Sequence, residues 1–277
     1  MTSSSLAPVS VAFIGGGNMA SAIIGGLLKQ GTSASQIQVV EPFAEQRAKL
    51  TQQFGVAVHE APGAALEQAG LVVWAVKPQT FREAAGQSRA HTANALHLSV
   101  AAGIRSDSMA QWLGTERIVR AMPNTPALVG KGMTALFARL AVSADDRLAV
   151  EGVIQPTGDF LWLDGETQLD AVTALSGSGP AYVFYFLEAM IDAGMDMGLS
   201  REKAHQLAVG TFVGASALAQ ASSDPPEVLR ARVTSKGGTT YAALTSMEQD
   251  GVKQHFMQAL EAARQRAVEL GDEFGSA

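Results

Sequence analysis

Over the first 165 residues, apolar runs alternate with amphipathic stretches. Val9, Val11, Phe13 and Ile14 form a short β-branched and aromatic run, the pattern of a core strand. It stops at Gly15-Gly16-Gly17, and the small apolar residues of Asn18–Gln30 predict a helix ended by Gly31. Ile37–Val40 predicts a second strand, and Phe43–Phe54 an amphipathic helix with Gly55 as its stop. Val56–Val58 reads as a third strand, Ala61–Ala69 as a short helix, and Leu71–Val76 as a fourth strand closed by Lys77-Pro78. The unbroken apolar run of this fourth strand suits burial on both faces. Further on come a helix over Phe81–Arg89, a strand over Leu96–Val100 running into Ala101-Ala102-Gly103, a helix over Asp107–Leu113, and a strand over Ile118–Met122 ending at Pro123. Met133–Phe137 reads as another strand. Ser143 and Asp146 have the spacing of a capping box and open a helix that ends near Pro156-Thr157-Gly158. Phe160–Leu163 is the last strand.

This alternation predicts an α/β domain over residues 1–165, with a doubly wound, largely parallel sheet. The loops at Gly15–Gly17, Lys77-Pro78, Ala101–Gly103 and Met122–Pro126 should then share one sheet edge, where ligands bind. After Gly165 no strand pattern remains, and residues 166–277 read as an all-helical domain. Leu169–Leu199 is helical apart from an expected break at Ser176-Gly177-Ser178-Gly179-Pro180, with Pro180 suited to a first helical position. Ser200–Ala221, Pro226–Val233, Tyr241–Glu248 and Val252–Leu270 are further helices, and Ser235–Thr240 is a loop. Ala208, Gly210, Gly214, Ala215 and Ala219 would let helices approach closely. A domain so apolar and so short of its own core is expected to dimerise.

Composition narrows the choice. At 277 residues, with 47% hydrophobic and 17% charged, the chain can build a sizeable core and disorder is excluded. Net charge is -6 with no basic cluster, which argues against a nucleic-acid partner. Without cysteine there is no disulfide, thiol nucleophile or cysteine-held metal. Met1–Ser10 is small and polar, unlike a signal peptide. No run reaches the roughly 18 to 20 apolar residues of a membrane span; Val183–Ile191 comes closest and contains Glu188. A cytoplasmic protein is expected.

Gly15-x-Gly17-x-x-Ala20 fits the dinucleotide fingerprint. Gly15 allows the tight turn, Gly17 lets a pyrophosphate approach the backbone, and Ala20 lets the helix lie close on the strand. The N–H groups opening that helix face an anion. Glu41 follows about 20 positions later, where a carboxylate can accept hydrogen bonds from an adenosine ribose. Glycine turns after strands are common, so the fingerprint alone is weak. Other motifs fail. Ser178 lacks a G-x-S-x-G elbow. Gly237-Gly238-Thr239 lacks the G-K-[ST] of a P-loop. His59, His91, His97, His205 and His255 have no metal-ligand spacing, and no metal is expected.

The most specific stretch is Pro226-x-x-Leu229 followed by Val233-Thr234-Ser235-Lys236-Gly237-Gly238-Thr239-Thr240-Tyr241-Ala242-Ala243-Leu244 and Met247-Glu248. It resembles the pyrroline-5-carboxylate reductase signature. Phe13–Ala20, Ala75-Val76-Lys77-Pro78-Gln79, Met122-Pro123-Asn124-Thr125-Pro126, Ser176–Tyr182 and Asp192-Ala193-Gly194 match that family in order, over nearly the whole chain. The resemblance implies a Rossmann-type domain, a helical dimerisation domain, and reduction of pyrroline-5-carboxylate to L-proline with NADPH or NADH, the last step of proline synthesis. It also implies homodimers that often assemble further, with the site in the cleft between domains and open to residues of a second chain.

Carried over by residue, Ile14, Gly15, Gly16, Gly17, Asn18, Met19, Ala75, Val76, Lys77, Pro78, Ala101, Ala102 and Gly103 would bind the cofactor, with Asn124 and Thr125 near the nicotinamide. Read without the family, Met122–Pro126 is simply a proline-rich turn. Ser235, Gly237, Gly238 and Thr239 would hold the substrate carboxylate, since a glycine-rich helix start offers backbone N–H groups to an anion. The Thr240 hydroxyl would donate to the imine nitrogen. A protonated imine already accepts hydride well, so the task is mostly orientation. Lys236 stands where many relatives carry proline; it either attracts the anionic substrate or is a solvated loop lysine. Glu41 would repel the 2′-phosphate of NADPH and so favours NADH, unless Arg47 compensates. Two rivals have other chemistry. A β-hydroxyacid-type dehydrogenase needs a mid-chain lysine, and none lies between Lys131 and Lys203. A dinucleotide-binding regulator without turnover has no use for an intact Gly238-Thr239-Thr240.

Overall fold

The computed structural model describes residues 10–275. The expectations placed on Val9 and on the first residues of the chain lie outside that range. Eight strands form one sheet: β1 (Val11–Ile14), β2 (Ile37–Val40), β3 (Ala57–His59), β4 (Leu71–Trp74), β5 (Leu96–Ser99), β6 (Ile118–Met122), β7 (Gly132–Ala138) and β8 (Gly158–Trp162), in the order β3-β2-β1-β4-β5-β6-β7-β8. The first six are mutually parallel. β7 runs antiparallel to β6, and β8 follows β7. The carboxyl ends of β1, β4, β5 and β6 therefore share one edge, as their loops require. The fold is a Rossmann-type doubly wound sheet followed by a helical part.

Side chains alternate across the sheet and build a core on each face. Val11 and Phe13 join Ile23, Ile24, Leu27, Leu50 and Ile154 on one face. Ala12 and Ile14 join Trp74, Phe81, Ile104, Met109 and Leu113 on the other. β1 and β4 are buried at every position, which is why their sequences show no alternation.

The helices of this part are α1 (Asn18–Lys29), α2 (Ala44–Phe54), α3 (Pro78–Ser88), α4 (Ser106–Leu113) and α5 (Ala144–Ile154). The Ser143 capping box forms as expected, with its hydroxyl accepting from Asp146 N–H and the Asp146 carboxylate accepting from Ser143 N–H. The expected helix over Ala61–Ala69 is only a 3-10 turn at Ala64–Leu66. Pro62-Gly63 and Gly70 leave too few residues between them for an α-turn to propagate. β4 ends at Trp74 rather than Val76, and α3 starts at Pro78, three residues early, because proline at the first helical position has its φ preset.

The helical part comprises α6 (Gln168–Val172), α7 (Gly179–Asp196), α8 (Arg201–Ala221), α9 (Pro226–Arg232), α10 (Thr239–Gln249) and α11 (Val252–Gly275). The break expected at Ser176–Pro180 is instead a π-helical turn at Thr173–Gly177 that runs α6 into α7. α10 begins at Thr239 rather than Tyr241, and α11 continues five residues beyond Leu270.

The described chain divides into two compact units. The first runs to Ser178 and takes up α11 from Ala263; the second is Gly179–Ala262. Within the first, ion pairs tie α6 and the loop before it to the start of α4 and to β6. Arg120, on β6, donates to Glu166 at 2.6 Å, and Glu166 also accepts from the Ser106 N–H and hydroxyl. Burial alone would raise the Glu166 carboxyl, but Ser106 and Arg120 together hold it below the usual carboxylate range. Arg105 grips both oxygens of Asp170, at 2.9 and 3.0 Å. In the second unit, α7 and α8 pack through Ile191, Ala204 and Ala208, with Leu187 against them. Gly194 allows that approach, since a Cβ there would lie 2.9 Å from the Ala204 Cβ. Among the described residues no helix is long and apolar enough to cross a membrane.

Candidate active site

The cofactor edge begins at the end of β1. Gly15 has φ +93° and donates to the Val40 carbonyl at 2.8 Å. A Cβ there would sit 2.6 Å from the Ala75 carbonyl oxygen, so only glycine fits. Gly16 packs on Leu50 and donates its N–H to Glu41 Oε2 at 2.9 Å. Gly17 has nothing within 4 Å of where a Cβ would be. It is also the N-cap of α1, with no side chain capping that helix. An open glycine before uncapped N–H groups, Asn18 and Met19 among them, fits the pyrophosphate of a dinucleotide. Ala20 is fully buried beneath the turn.

Glu41, at the end of β2, is 6% exposed and braces this loop. Its second oxygen accepts from Phe43 N–H at 3.0 Å. Gln46 Nε2 donates to the Gly16 carbonyl at 2.5 Å. Arg47 Nη1 donates to the carbonyls of Glu41 and Pro42 at 3.0 and 2.6 Å, and Nη2 reaches Glu60 at 3.2 Å. Arg47 is thus committed to the loop's framework. The sequence had not singled out Gln46 or Phe43, because bonds between side chains and distant backbone leave no mark in residue spacing.

Ala75 and Val76 follow β4 and are half-buried; Lys77 is exposed at the N-cap of α3, which opens with Pro78. Ala101 is buried and its N–H bonds to the Ser99 hydroxyl. Ala102 is half-buried, and Gly103, at φ +75°, faces Leu270 and Phe274 of α11. Asn124, after β6, is a clamp. Its Nδ2 donates to the Ser176 carbonyl at 3.1 Å, and its Oδ1 accepts from Met133 N–H at 2.9 Å. Thr125 is exposed at the head of a 3-10 turn. Ile14, the glycines, Ala75–Pro78, Ala101–Gly103, Asn124 and Thr125 all stand at carboxyl ends of parallel neighbours.

In the second unit, Ser235, Gly237, Gly238, Thr239 and Thr240 converge on the start of α10. Gly237 has φ +75°, and Gly238 is the N-cap without a side-chain cap. A Cβ on Gly238 would lie 2.6 Å from the Ser235 hydroxyl, which would have to turn away, while the positive φ of Gly237 is where the loop favours glycine. The first-turn N–H groups of Thr239, Thr240 and Tyr241 point out of the helix end. Beside them Arg230, Lys236, Tyr241 and Glu248 line a groove of about 470 Å³. Arg230 was not picked out from sequence; its placement by the loop depends on the turn after α9. Among the described residues no group of three His, Asp or Glu could hold a metal ion.

Comparison with known proteins agrees with both halves. Residues 166–270 match the family model for pyrroline-5-carboxylate reductase dimerisation, and residues 10–103 match one described as NADP oxidoreductase, coenzyme F420-dependent. The pyrroline-5-carboxylate reductase of Pseudomonas aeruginosa is 46% identical over 267 residues, covering 96% of this chain and 98% of the relative. The Coxiella burnetii pyrroline-5-carboxylate reductase structure superposes with a TM-score of 0.89 at 35% identity, covering 95% of this chain and 99% of that one. The Plasmodium falciparum pyrroline carboxylate reductase, solved with NADP bound, gives 0.86 at 28% identity over 95% and 98%. The chain belongs to the pyrroline-5-carboxylate reductase family.

Proposed function

We infer that this chain reduces 1-pyrroline-5-carboxylate to L-proline with NADH or NADPH, as the last step of proline biosynthesis in the cytoplasm. The observation that carries this is that one chain holds both an open glycine edge at β1 and an uncapped, glycine-rich helix start at Ser235–Thr240. A dinucleotide fits the first and a small carboxylate the second. When bound, the reduced nicotinamide supplies the hydride. The N–H groups of Thr239 and Thr240, with the Ser235 hydroxyl, hold the substrate carboxylate. The Thr240 hydroxyl donates a hydrogen bond to the lone pair of the neutral imine nitrogen, and that nitrogen takes up one proton, supplied from water through the hydroxyl, as C5 accepts hydride. Asn124 and Thr125 flank the nicotinamide side, and Asn124 also keeps the π-turn in place. Orientation of this kind needs no metal and no strong acid.

Glu41 points to NADH. Each of its oxygens accepts one N–H and keeps a lone pair for a ribose hydroxyl. A 2′-phosphate would meet a carboxylate there, and Arg47 is already held by carbonyls and Glu60. The homodimer forms through residues 166–277, where apolar side chains such as Leu207, Val213 and Leu218 stand exposed in the single chain. The test is loss of reduced-nicotinamide absorbance when purified protein meets the substrate, with NADH and NADPH in parallel. Turnover with NADH ahead is expected. No turnover with either cofactor from folded protein overturns the assignment.

A further inference from the structure

Phe43 breaks a local rule with no structural return. It occupies the N-cap of α2, where Ser, Thr, Asp or Asn would bond to the first turn, and it makes no cap. It adds nothing to the core either: α2 buries only Leu50, and Phe43 is 73% exposed. Among the described Phe, Trp and Tyr residues of the first unit it alone is exposed. A residue kept against local preference marks a functional position.

Its backbone, in contrast, is locked. Phe43 N–H bonds to Glu41 Oε1, its carbonyl accepts from Arg47 N–H at 3.0 Å, and Glu41 N–H ties the loop to the His59 carbonyl at 2.9 Å. The same carboxylate that braces Gly16 thus fixes the backbone of a bare aromatic residue two positions past the ribose-reading position. Bases stack on exposed aromatic faces, and a ring carried on a backbone already held in place has only its own two side-chain torsions to order on binding.

We propose that Phe43 is the platform on which the adenine base of the cofactor stacks, a role that rests on dinucleotide binding at the β1 edge as argued above. Phe43→Ala removes the ring and keeps every backbone bond that holds the loop, so its melting temperature should match wild type. Calorimetric titration with ADP-ribose, which keeps the adenosine and the pyrophosphate but has no nicotinamide, is expected to show about tenfold weaker binding than wild type, or about 1.4 kcal/mol. Reduced nicotinamide mononucleotide, which lacks adenosine, should bind both proteins equally, and Phe43→Trp should retain ADP-ribose affinity. An unchanged ADP-ribose affinity in Phe43→Ala, or an equal loss for the mononucleotide, overturns the proposal. Wild-type protein that binds no ADP-ribose overturns the cofactor site itself, and the platform with it.

Discussion

In the first unit Phe13, Trp74 and Phe81 are fully enclosed by their own chain; in the second Phe184, Tyr185, Leu207 and Val213 remain exposed. The α/β unit has a core on each face of its sheet, while the helical unit has one buried apolar cluster, Ile191, Ala204 and Ala208, and a short aromatic series, Tyr182, Phe256 and Phe186, with ring centroids 5.8 and 5.7 Å apart. One sheet covered on both faces satisfies its apolar residues within one chain. A set of helices rich in Ala and Gly does so only against another copy of itself. Cofactor binding and subunit association are thus built on separate physical foundations, and they should fail separately.

The largest expected effect is on the first core. Phe13→Ala deletes a fully buried ring and should cost about 3 to 5 kcal/mol. Because the lost contacts are within one chain, the drop in urea midpoint should not depend on protein concentration. A concentration-dependent drop would mean that this unit, too, relies on a partner.

Acid should open the core on the other face of the sheet. His97 is buried beside Trp74, whose Nε1–H donates to its Nδ1 at 3.0 Å. Burial, outweighing a backbone bond at Thr92, lowers its pKa from 6.5 to about 4. The unfolded chain therefore binds a proton that the folded chain refuses. The stability concerned is complete above pH 6.5 and is lost as pH falls towards 4, in all roughly 3 kcal/mol. Thermal melts from pH 7.5 to 4 should show it, and His97→Gln should flatten that part of the profile.

Thr240→Ala tests the chemistry of the second unit. Loss of one donor to the reacting nitrogen should lower kcat about 100-fold, with NADH affinity unchanged by direct titration. Wild-type turnover would remove Thr240 from the mechanism. Val213→Glu tests its association. A carboxylate placed on an apolar face should weaken the dimer about 30-fold, or about 2 kcal/mol, in sedimentation analysis. The same change at exposed Leu148 of the first unit should do nothing to association.

How far the sequence went differs between the units as well. The bounds of β2 and β6 were legible to the residue, although each carries one polar residue, Gln38 and Arg120, because Pro42 and Pro123 punctuate their ends. The direction of β7 was not, since alternation carries no sign of strand polarity. Ser176–Pro180 looked like a break because Gly and Pro usually interrupt helices; here the extra residue is absorbed by a π-turn pinned by Asn124 from 52 positions away. The proposed site residues were picked out by motif, but Glu41 as a brace, Gln46 and the exposed Phe43 depend on contacts or exposure that no local pattern reports.

The smallest effect is the most informative about Glu41, which joins the glycine loop to the ribose position. Glu41→Gln keeps the shape and removes the charge. The amide has one acceptor oxygen, so either Gly16 or Phe43 N–H loses its partner, and the Nε2 group then faces a donor. Affinity for NADH should fall several-fold from the loosened loop. Affinity for NADPH suffers the same loosening but escapes the repulsion between carboxylate and 2′-phosphate. The ratio of kcat/KM for NADPH over NADH should therefore rise about tenfold, worth about 1.4 kcal/mol. An unchanged ratio would leave Glu41 as a brace alone and would move cofactor choice to residues further along the β2 loop.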